Sequence, residues 1–468
     1  MFKAIFTNSF GILFSRILGF IRDLFTASVL GANVYSDVFF IAFKLPNLFR
    51  RIFAEGAFTQ VFIPSYAKSK QKSVFSTYIF IVFLSIIILF TLLVNILPSL
   101  ATRAIAMGLN DSTVELASPL VAINFWYLPL IFMVTFLSAM LQYKNHFATS
   151  AFSTALLNIS LILALYLSHD KTQAEIVYYL SFGVVIGGVL QLVAHIITIY
   201  KLGLFKLIFG GFKYLKLKYT KIKKESKKFK SLFFPAMWGN STAQVSAFLD
   251  TWLASFLVTG SISYLYYANR IFQLPLALFA IATSVAIFPR IAKYIKNKQE
   301  GEALNFMKKA FWFLIFVLSF STLGGFILSH EIIYLLFQRG AFIESYTIQT
   351  ANILQMYIIG LLPFGLQKLF SLWLYAKEMQ MQAAKIATFS LATNIFLSLA
   401  LISPLGASGL ALASTLSGFV GFILTIRIFG AKNFLAIISF KNALYLTVSI
   451  ILFTIFLLIF KDFISAYI

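Results

Sequence analysis

Residues 14–55 read FSRILGFIRDLFTASVLGANVYSDVFFIAFKLPNLFRRIFAE, and this stretch decides the fold class. It contains two apolar runs that are each long enough to cross a bilayer, yet both carry ionisable side chains. A charge at the centre of a membrane helix costs about 3 kcal/mol or more, so such residues indicate a functional site that faces water or a polar ligand. Most of them are positive, which predicts an anionic ligand. The eight ionisable residues are Arg16, Arg22, Asp23, Asp37, Lys44, Arg50, Arg51 and Glu55.

The composition of the whole chain also indicates a membrane protein. Of its 468 residues, 60% are hydrophobic and 11% are charged, whereas soluble domains carry about 25% charged residues. The apolar runs are continuous and do not alternate every second residue, which excludes an outer-membrane β-barrel. The chain has no cysteine, which excludes disulfides, thiolate nucleophiles and cysteine-bound metals.

We predict an all-α integral membrane protein with about thirteen transmembrane helices. The first apolar run carries Arg16 and Arg22, is too long for a signal peptide and lacks a cleavage site, so it is interpreted as helix 1. The predicted spans lie near residues 3–30, 35–65, 74–100, 117–142, 149–168, 175–200, 231–258, 262–289, 309–329, 345–376, 383–402, 406–428 and 441–460.

The distribution of lysine and arginine predicts the orientation of these spans. With the N-terminus in the cytoplasm, the inward segments hold 27 of the 38 basic residues and the outward segments hold 4. This is the bias that the positive-inside rule describes. The net charge of +23 is therefore explained by topology and does not predict nucleic-acid binding. Eleven of the lysines fall between Lys201 and Lys230, where we expect an amphipathic linker on anionic lipid headgroups.

An internal repeat with an offset near 230 residues predicts two similar halves. FKLP at 43–46 returns as FQLP at 272–275, PSYAK at 64–68 returns as PRIAK at 289–293, and NISLILAL from Asn158 resembles NIFLSLAL from Asn394. The offset spans six helices, so the halves share one orientation and are related by a pseudo-two-fold axis along the membrane normal. The predicted domains are an N-terminal lobe of helices 1–6 (1–202), a basic cytoplasmic linker (203–230), a C-terminal lobe of helices 7–12 (231–430) and an extra C-terminal helix (431–468).

The buried charges point to a phosphorylated ligand. The repeat places Arg270 of helix 8 in the same region, so helices 1, 2 and 8 hold six cations against three carboxylates. Pairing within the protein, such as Arg51 with Glu55 or Arg22 with Asp23 or Asp37, explains only part of this set. The planar guanidinium fork suits phosphate, so a phosphate or pyrophosphate ligand is expected.

Asp250 is a separate candidate because it lies mid-helix in helix 7, far from basic residues. A lone buried carboxylate either takes a proton or binds a cation. Asn394, Ser398 and Ser414 could supply further oxygens for a Na⁺ site. A protonated, merely packed Asp250 is the alternative, and no other cofactor or metal is expected.

Four segments of the sequence resemble the bacterial lipid II flippase family (MurJ or MviN) of the multidrug/oligosaccharidyl-lipid/polysaccharide exporter superfamily. These are FSRILGFIRD from Phe14, the segment from Ser36 to Pro64, GGVLQL from Gly187, and GSISYLYYANR from Gly260. The resemblance covers about residues 1–430. It implies an inner-membrane transporter that moves undecaprenyl-pyrophosphate-linked peptidoglycan precursor to the periplasmic leaflet by alternating access. It also implies the substrate-binding residues Arg16, Arg22, Asp37, Arg51 and Arg270. We separately expect a monomer.

The sequence departs from that family in two places, and other functions stay open. Asn269 replaces an aspartate that the family usually has, and thirteen helices replace the usual fourteen. The alternatives are a flippase for another polyprenyl-pyrophosphate glycan or a multidrug exporter. A membrane-embedded glycosyl or polyprenyl transferase would need clustered carboxylates for Mg²⁺, and the chain has no DDxxD-like pair.

Overall fold

The computed structural model describes residues 2–52 and 58–465, and it contains α-helices but no strand within these ranges. A 3₁₀ turn at Phe212–Tyr214 and a π-helical turn at Leu276–Ile281 interrupt the α-helical series. The α-helices are α1 Phe2–Leu30, α2 Val34–Ile52, α3 Phe58–Lys68, α4 Lys72–Ile96, α5 Pro98–Ile105, α6 Asp111–Phe125, α7 Tyr127–Tyr143, α8 Ala148–Ser168, α9 Gln173–Lys201, α10 Phe205–Phe209, α11 Leu215–Ala254, α12 Ser261–Pro275, α13 Ala282–Lys296, α14 Glu300–Ile327, α15 Ser329–Phe337, α16 Glu344–Ile358, α17 Leu361–Ala376, α18 Gln380–Phe429, α19 Ala431–Ile437 and α20 Phe440–Ser465.

The prediction of an all-α membrane protein is confirmed. Nine helical segments of the described chain are long and apolar enough to cross a membrane. The helix α2 is not among them, because Asp37, Lys44, Arg50 and Arg51 reduce its apolar character. The nine segments are Lys72–Ile96, Asp111–Tyr143, Ala148–Ser168, Gln173–Lys201, Ser261–Lys296, Glu300–Ile327, Glu344–Ala376, Gln380–Phe429 and Phe440–Phe463.

The helix α18 consists of two parts that meet at a sharp bend. Gly406 has φ +55° and ψ −133°, which is outside the helical region and accessible mainly to glycine. Pro404 precedes it and cannot supply a backbone N–H to the helix. The break therefore falls where the sequence analysis separates the spans 383–402 and 406–428.

The helix α11 begins earlier than the span predicted from residue 231. It starts at Leu215 and includes much of the stretch predicted as a linker. Phe229 and Phe233 on this helix are buried against other aromatic rings, and the ring centroids of Phe229 and Phe83 are 5.9 Å apart. Exposed lysines occupy other positions, including Lys223 and Lys227. The apolar face stabilises a helix that mean hydropathy alone does not reveal.

The described chain divides into two compact units, Met1–Gly260 and Ser261–Ile468. In the first unit, α8 packs against α1 and α9 through small residues. A Cβ atom at Gly11 would lie 2.8 Å from Cβ of Ala151, and one at Gly187 would lie 2.8 Å from Cδ1 of Leu157. Close backbone approach at small residues is typical of packed membrane helices.

The second unit has its buried core around α14 and α17, with α13 and α18 packed against them. Trp312 on α14 donates its indole N–H to the carbonyl oxygen of Ile437, at the end of α19, over 3.1 Å. The C-terminal helix α20 packs against α14, and the rings of Phe320 and Phe453 are 4.8 Å apart. Most of α20 is exposed, which is expected for a helix surrounded by lipid.

Candidate functional site

The cationic residue Arg22 on α1 is positioned by two neighbours. Its Nη2 donates to Oδ1 of Asp23 over 2.6 Å, and its Nη1 donates to Oδ1 of Asn158 on α8 over 3.1 Å. The Arg22 side chain is 11% exposed and that of Asp23 is 3% exposed. The amide of Asn158 also donates to the carbonyl oxygen of Ser15 over 3.0 Å. The helices α1 and α8 together therefore set the position of this guanidinium.

Asp37 lies in the first turn of α2 and is buried. Its Oδ2 accepts a hydrogen bond from the backbone N–H of Gly260 over 2.6 Å. Gly260 has φ +93°, a conformation that favours glycine. The predicted acidic member of the substrate site therefore also stabilises the segment that follows α11.

Three further cations lie on the C-terminal half of α2, and all are half-buried: Lys44, Arg50 and Arg51. Arg50 donates from Nε and Nη2 to Oδ1 of Asn47 over 3.2 and 3.1 Å. Arg51 donates from Nη1 to Oε1 of Gln244 on α11 over 3.5 Å. These amide partners orient the guanidinium groups without cancelling their charge. Glu55, the predicted partner of Arg51, lies outside the described residues.

The other predicted ligand-binding cations are Arg16 and Arg270. Arg16 is exposed on α1. Arg270 is half-buried on α12, where its Nη2 donates to the hydroxyl of Tyr266 over 2.7 Å. Its guanidinium carbon lies 4.7 Å from the centre of the same ring, a cation–π distance. Asn269, which replaces the usual aspartate, accepts a hydrogen bond from Gln273.

The residues of the predicted cation site belong to different units. Asp250 is half-buried on α11 in the first unit. Asn394 and Ser414 meet in the second unit, where Nδ2 of Asn394 donates to Oγ of Ser414 over 3.0 Å. Ser398 lies one helical turn after Asn394 and is fully buried. The structure thus brings Asn394 and Ser414 together.

Sequence reasoning missed four residues that orient the cations: Asn47, Asn158, Gln244 and Tyr266. The repeat analysis notes Asn158 only as a match to Asn394. Its position inside a strongly apolar helix is a usable signal, because a buried amide needs hydrogen-bond partners. Gln244 and Tyr266 carry no such signal, since their partners are decided by packing.

The cations described above share one chemical property, which is that their guanidinium and ammonium groups can bind anions. The planar N–H groups of a guanidinium suit phosphate oxygens, which they can bind in pairs. Arg22 is at the same time ion-paired with Asp23. No cluster of histidine, aspartate and glutamate able to hold a metal occurs within residues 2–52 and 58–465. Nine helical segments long and apolar enough to cross a bilayer define a multi-pass membrane protein.

Comparisons with known proteins identify the family. A sequence model described as "Lipid II flippase MurJ" matches residues 26–467. A probable lipid II flippase MurJ of Helicobacter pylori strain J99 is 52% identical over 421 residues, covering 88% of this chain and 92% of that protein. One from Buchnera aphidicola of Acyrthosiphon pisum is 33% identical, covering 91% and 83%. The chain therefore belongs to the lipid II flippase MurJ family.

Solved structures show the same fold. A lipid II flippase MurJ in an inward closed conformation has a TM-score of 0.80 and 26% identity, with 98% of each chain covered. An inward-facing multidrug resistance transporter of the MATE family, in the MOP superfamily, has a TM-score of 0.64 and 13% identity, covering 92% of this chain and 98% of that one. The second likeness shows the fold alone.

Proposed function

We propose that this chain is a lipid II flippase of the bacterial inner membrane. It moves undecaprenyl-pyrophosphate-linked peptidoglycan precursor from the cytoplasmic to the periplasmic leaflet and has no enzymatic activity. The observation that carries this proposal is the family match over residues 26–467 together with 52% identity to a relative named for this function. The part-buried guanidinium groups on α1, α2 and α12 support it, because the substrate carries a pyrophosphate.

The proposed architecture consists of two six-helix lobes, residues 1–202 and 231–430, related by an axis along the membrane normal. The basic linker 203–230 joins them on the cytoplasmic side, and the C-terminal helix within 431–468 has no counterpart. The N-terminus is cytoplasmic and the protein acts as a monomer. The two lobes and their orientation rest on the repeat and on the distribution of basic residues.

In the proposed mechanism, Arg16, Arg22, Arg51 and Arg270 bind the pyrophosphate while the polyprenyl chain stays in the bilayer. Binding neutralises the cations, which lowers the free energy needed to close the site to the cytoplasm. Asp37 is the acidic member of this site, and Asp23, Lys44, Arg50 and Glu55 supply supporting charge. The substrate is then released when the protein opens on the periplasmic side.

The driving force proposed for transport is the membrane potential. An inside-negative potential favours outward movement of an anion by about 2.3 kcal/mol per charge per 100 mV. Coupling to Na⁺ or H⁺ at Asp250, with Asn394, Ser398 and Ser414, is a second contribution that we include in the proposal. The bonded amide and hydroxyl of Asn394 and Ser414 are oxygen-bearing groups of the type that bind Na⁺.

The experiment is reconstitution of the purified chain in liposomes with fluorescent lipid II in both leaflets. Accessibility of the label to a membrane-impermeant quencher measures leaflet exchange, with and without an imposed potential or sodium gradient. We expect exchange to exceed that of protein-free liposomes and to increase with a potential directed for anion export. If another polyprenyl-pyrophosphate glycan is exchanged and lipid II is not, the result would favour a flippase for that glycan. Export of a cationic dye alone would favour a multidrug exporter.

A further inference from the structure

The segment between α9 and α11, residues 202–214, is a second surface of interest, and we call it the connector. It contains α10 and the 3₁₀ turn, and it packs against the first turns of α4. Both α4 and α9 are candidate membrane spans, and the connector follows the end of α9 and packs against the beginning of α4. A segment at the ends of two membrane helices is expected at the depth of the lipid headgroups.

Side-chain hydroxyls on α4 hold the connector in place. Thr77 Oγ1 donates to the carbonyl oxygen of Ile208 over 2.7 Å, and Ser73 Oγ donates to that of Lys206 over 3.2 Å. A Cβ atom at Gly211 would lie 2.4 Å from the carbonyl oxygen of Ser73, so only glycine permits this approach. The carbonyl oxygen of Lys206 also accepts from the backbone N–H of Gly210 over 3.0 Å. The bond from Thr77 adds a partner in the last turn of α10, where carbonyl groups lack partners within the helix. The connector is thus a fixed part of the first unit.

The inner face of the connector is apolar and packed. Ile208 is fully buried, and the ring centroid of Phe209 lies 5.6 Å from that of Phe80 on α4. The rings of Phe205 and Phe212 flank Phe209, with centroids 4.9 and 5.9 Å from that of Phe209.

The outer face combines exposed apolar groups with lysines. Phe205 is 47% exposed, Phe212 is 49% exposed, and Leu202 and Tyr214 are similarly exposed. Exposed lysines lie beside them, namely Lys206 and Lys213 in the connector and Lys201 at the end of α9. From residue 201 to residue 224 the sequence has no acidic residue. Aromatic rings with neighbouring lysines are typical of surfaces at the boundary between acyl chains and headgroups.

We propose that the connector is a binding surface for anionic phospholipids of the membrane. Its rings enter the boundary between acyl chains and headgroups, and Lys201, Lys206 and Lys213 bind lipid phosphates. The occupant is the surrounding phospholipid, for which phosphatidylglycerol is a suitable probe, and not the transported substrate. A lysine near an anionic leaflet strengthens attraction by about fivefold, so three of them enrich such lipids locally. This proposal goes beyond the proposed function and does not depend on it.

The absence of cysteine makes a direct test straightforward, because Leu202→Cys introduces a single labelling site beside the exposed rings. The full-length variant carries a bimane label and is reconstituted in vesicles of equal phosphatidylcholine and phosphatidylglycerol. In one preparation the phosphatidylglycerol is brominated, and in the other the phosphatidylcholine is brominated. We expect brominated phosphatidylglycerol to quench the label about threefold more strongly than brominated phosphatidylcholine does. A tenfold increase in salt concentration should reduce this ratio of quenching by the two lipids.

Three variants in the labelled background distinguish the contributions. Changing Lys201, Lys206 and Lys213 to glutamine should bring the quenching ratio to about one. A control that changes the exposed Lys293, Lys296 and Lys298 to glutamine removes the same net charge and should leave the ratio unchanged. Changing Phe205 and Phe212 to serine should reduce quenching by both lipids, since the label then lies farther from the acyl chains. Size-exclusion chromatography confirms that each variant is folded.

The proposal is wrong if the two brominated lipids quench the parent equally, or if neither quenches it. It is also wrong if the control triple variant lowers the ratio as much as the connector triple variant, because net charge alone would then explain the preference. None of these outcomes bears on leaflet exchange of lipid II, which tests the proposed function separately.

Discussion

Arg22 and Asn158 are hydrogen-bonded between α1 and α8, with 3.1 Å from Nη1 of the arginine to Oδ1 of the asparagine. The two residues are 136 positions apart in sequence. Asn158 also donates to the carbonyl oxygen of Ser15, so its amide binds α1 at two points. An uncharged residue therefore orients a charged one, and its removal should affect transport without changing the net charge of the site.

The first prediction concerns Asn158→Ala. The substitution removes an acceptor from Arg22 and a donor from the carbonyl of Ser15, and a hydrogen bond to a charged group contributes about 1.5–3 kcal/mol. We expect lipid II exchange to fall by about tenfold or more, since each 1.4 kcal/mol of lost transition-state stabilisation is a factor of ten. Liposome exchange assays measure this. Asn297→Ala at an exposed position is the matched control, and equal rates for both variants would contradict the prediction.

The second prediction concerns Arg270. Arg270→Ala removes the guanidinium beside Tyr266 and should abolish exchange while the protein remains folded. Arg270→Lys keeps the charge but loses the planar fork, so an intermediate rate is expected. Tyr266→Phe keeps the ring under the guanidinium and removes only the hydroxyl, and it should reduce the rate least. Full transport by the alanine variant would refute pyrophosphate binding by this residue.

The third prediction separates charge from geometry at Asp37. Asp37→Ala leaves the N–H of Gly260 without its acceptor and should lower the free energy of unfolding by about 2–3 kcal/mol. Asp37→Asn keeps an acceptor oxygen and should lose about half of that amount. Thermal unfolding in detergent, followed by intrinsic fluorescence, ranks the three proteins. If both variants unfold at the temperature of the parent, the hydrogen bond does not stabilise this segment.

The fourth prediction concerns Gly108, whose backbone N–H bonds to Oγ of Ser255 over 3.0 Å. A Cβ atom at this position would lie 2.5 Å from the backbone nitrogen of Phe256, and backbone cannot move aside cheaply. Gly108→Ala should therefore lower the free energy of unfolding by about 1–3 kcal/mol. Gly324→Ala is the control, because nothing lies within 4 Å of a Cβ atom there. In a helix that change should stabilise the protein by up to about 1 kcal/mol. Thermal unfolding in detergent should therefore show a lower unfolding temperature for Gly108→Ala and a higher one for Gly324→Ala than for the parent.

Some features of this protein could be predicted from short stretches of the chain. The bend of α18 at Gly406 falls between two predicted spans, because Pro404 and Gly406 disfavour a continuous helix whatever surrounds them. By contrast, the start of α11 at Leu215 was not predicted. Its lysines resemble a linker, and the helix is stabilised by burial of Phe229 and Phe233 against distant rings.

The sequence by itself determined the all-helical membrane character and the family, because continuous apolar runs and dense local motifs do not depend on distant parts of the chain. It also identified the residues that carry positive charge. Only the tertiary structure decided that Arg22 bonds to Asn158, Arg51 to Gln244 and Asp37 to Gly260. The physical reason is that bilayer insertion follows from the side chains of one segment, whereas a hydrogen bond requires two groups to meet at about 3 Å, which packing of the helices alone decides.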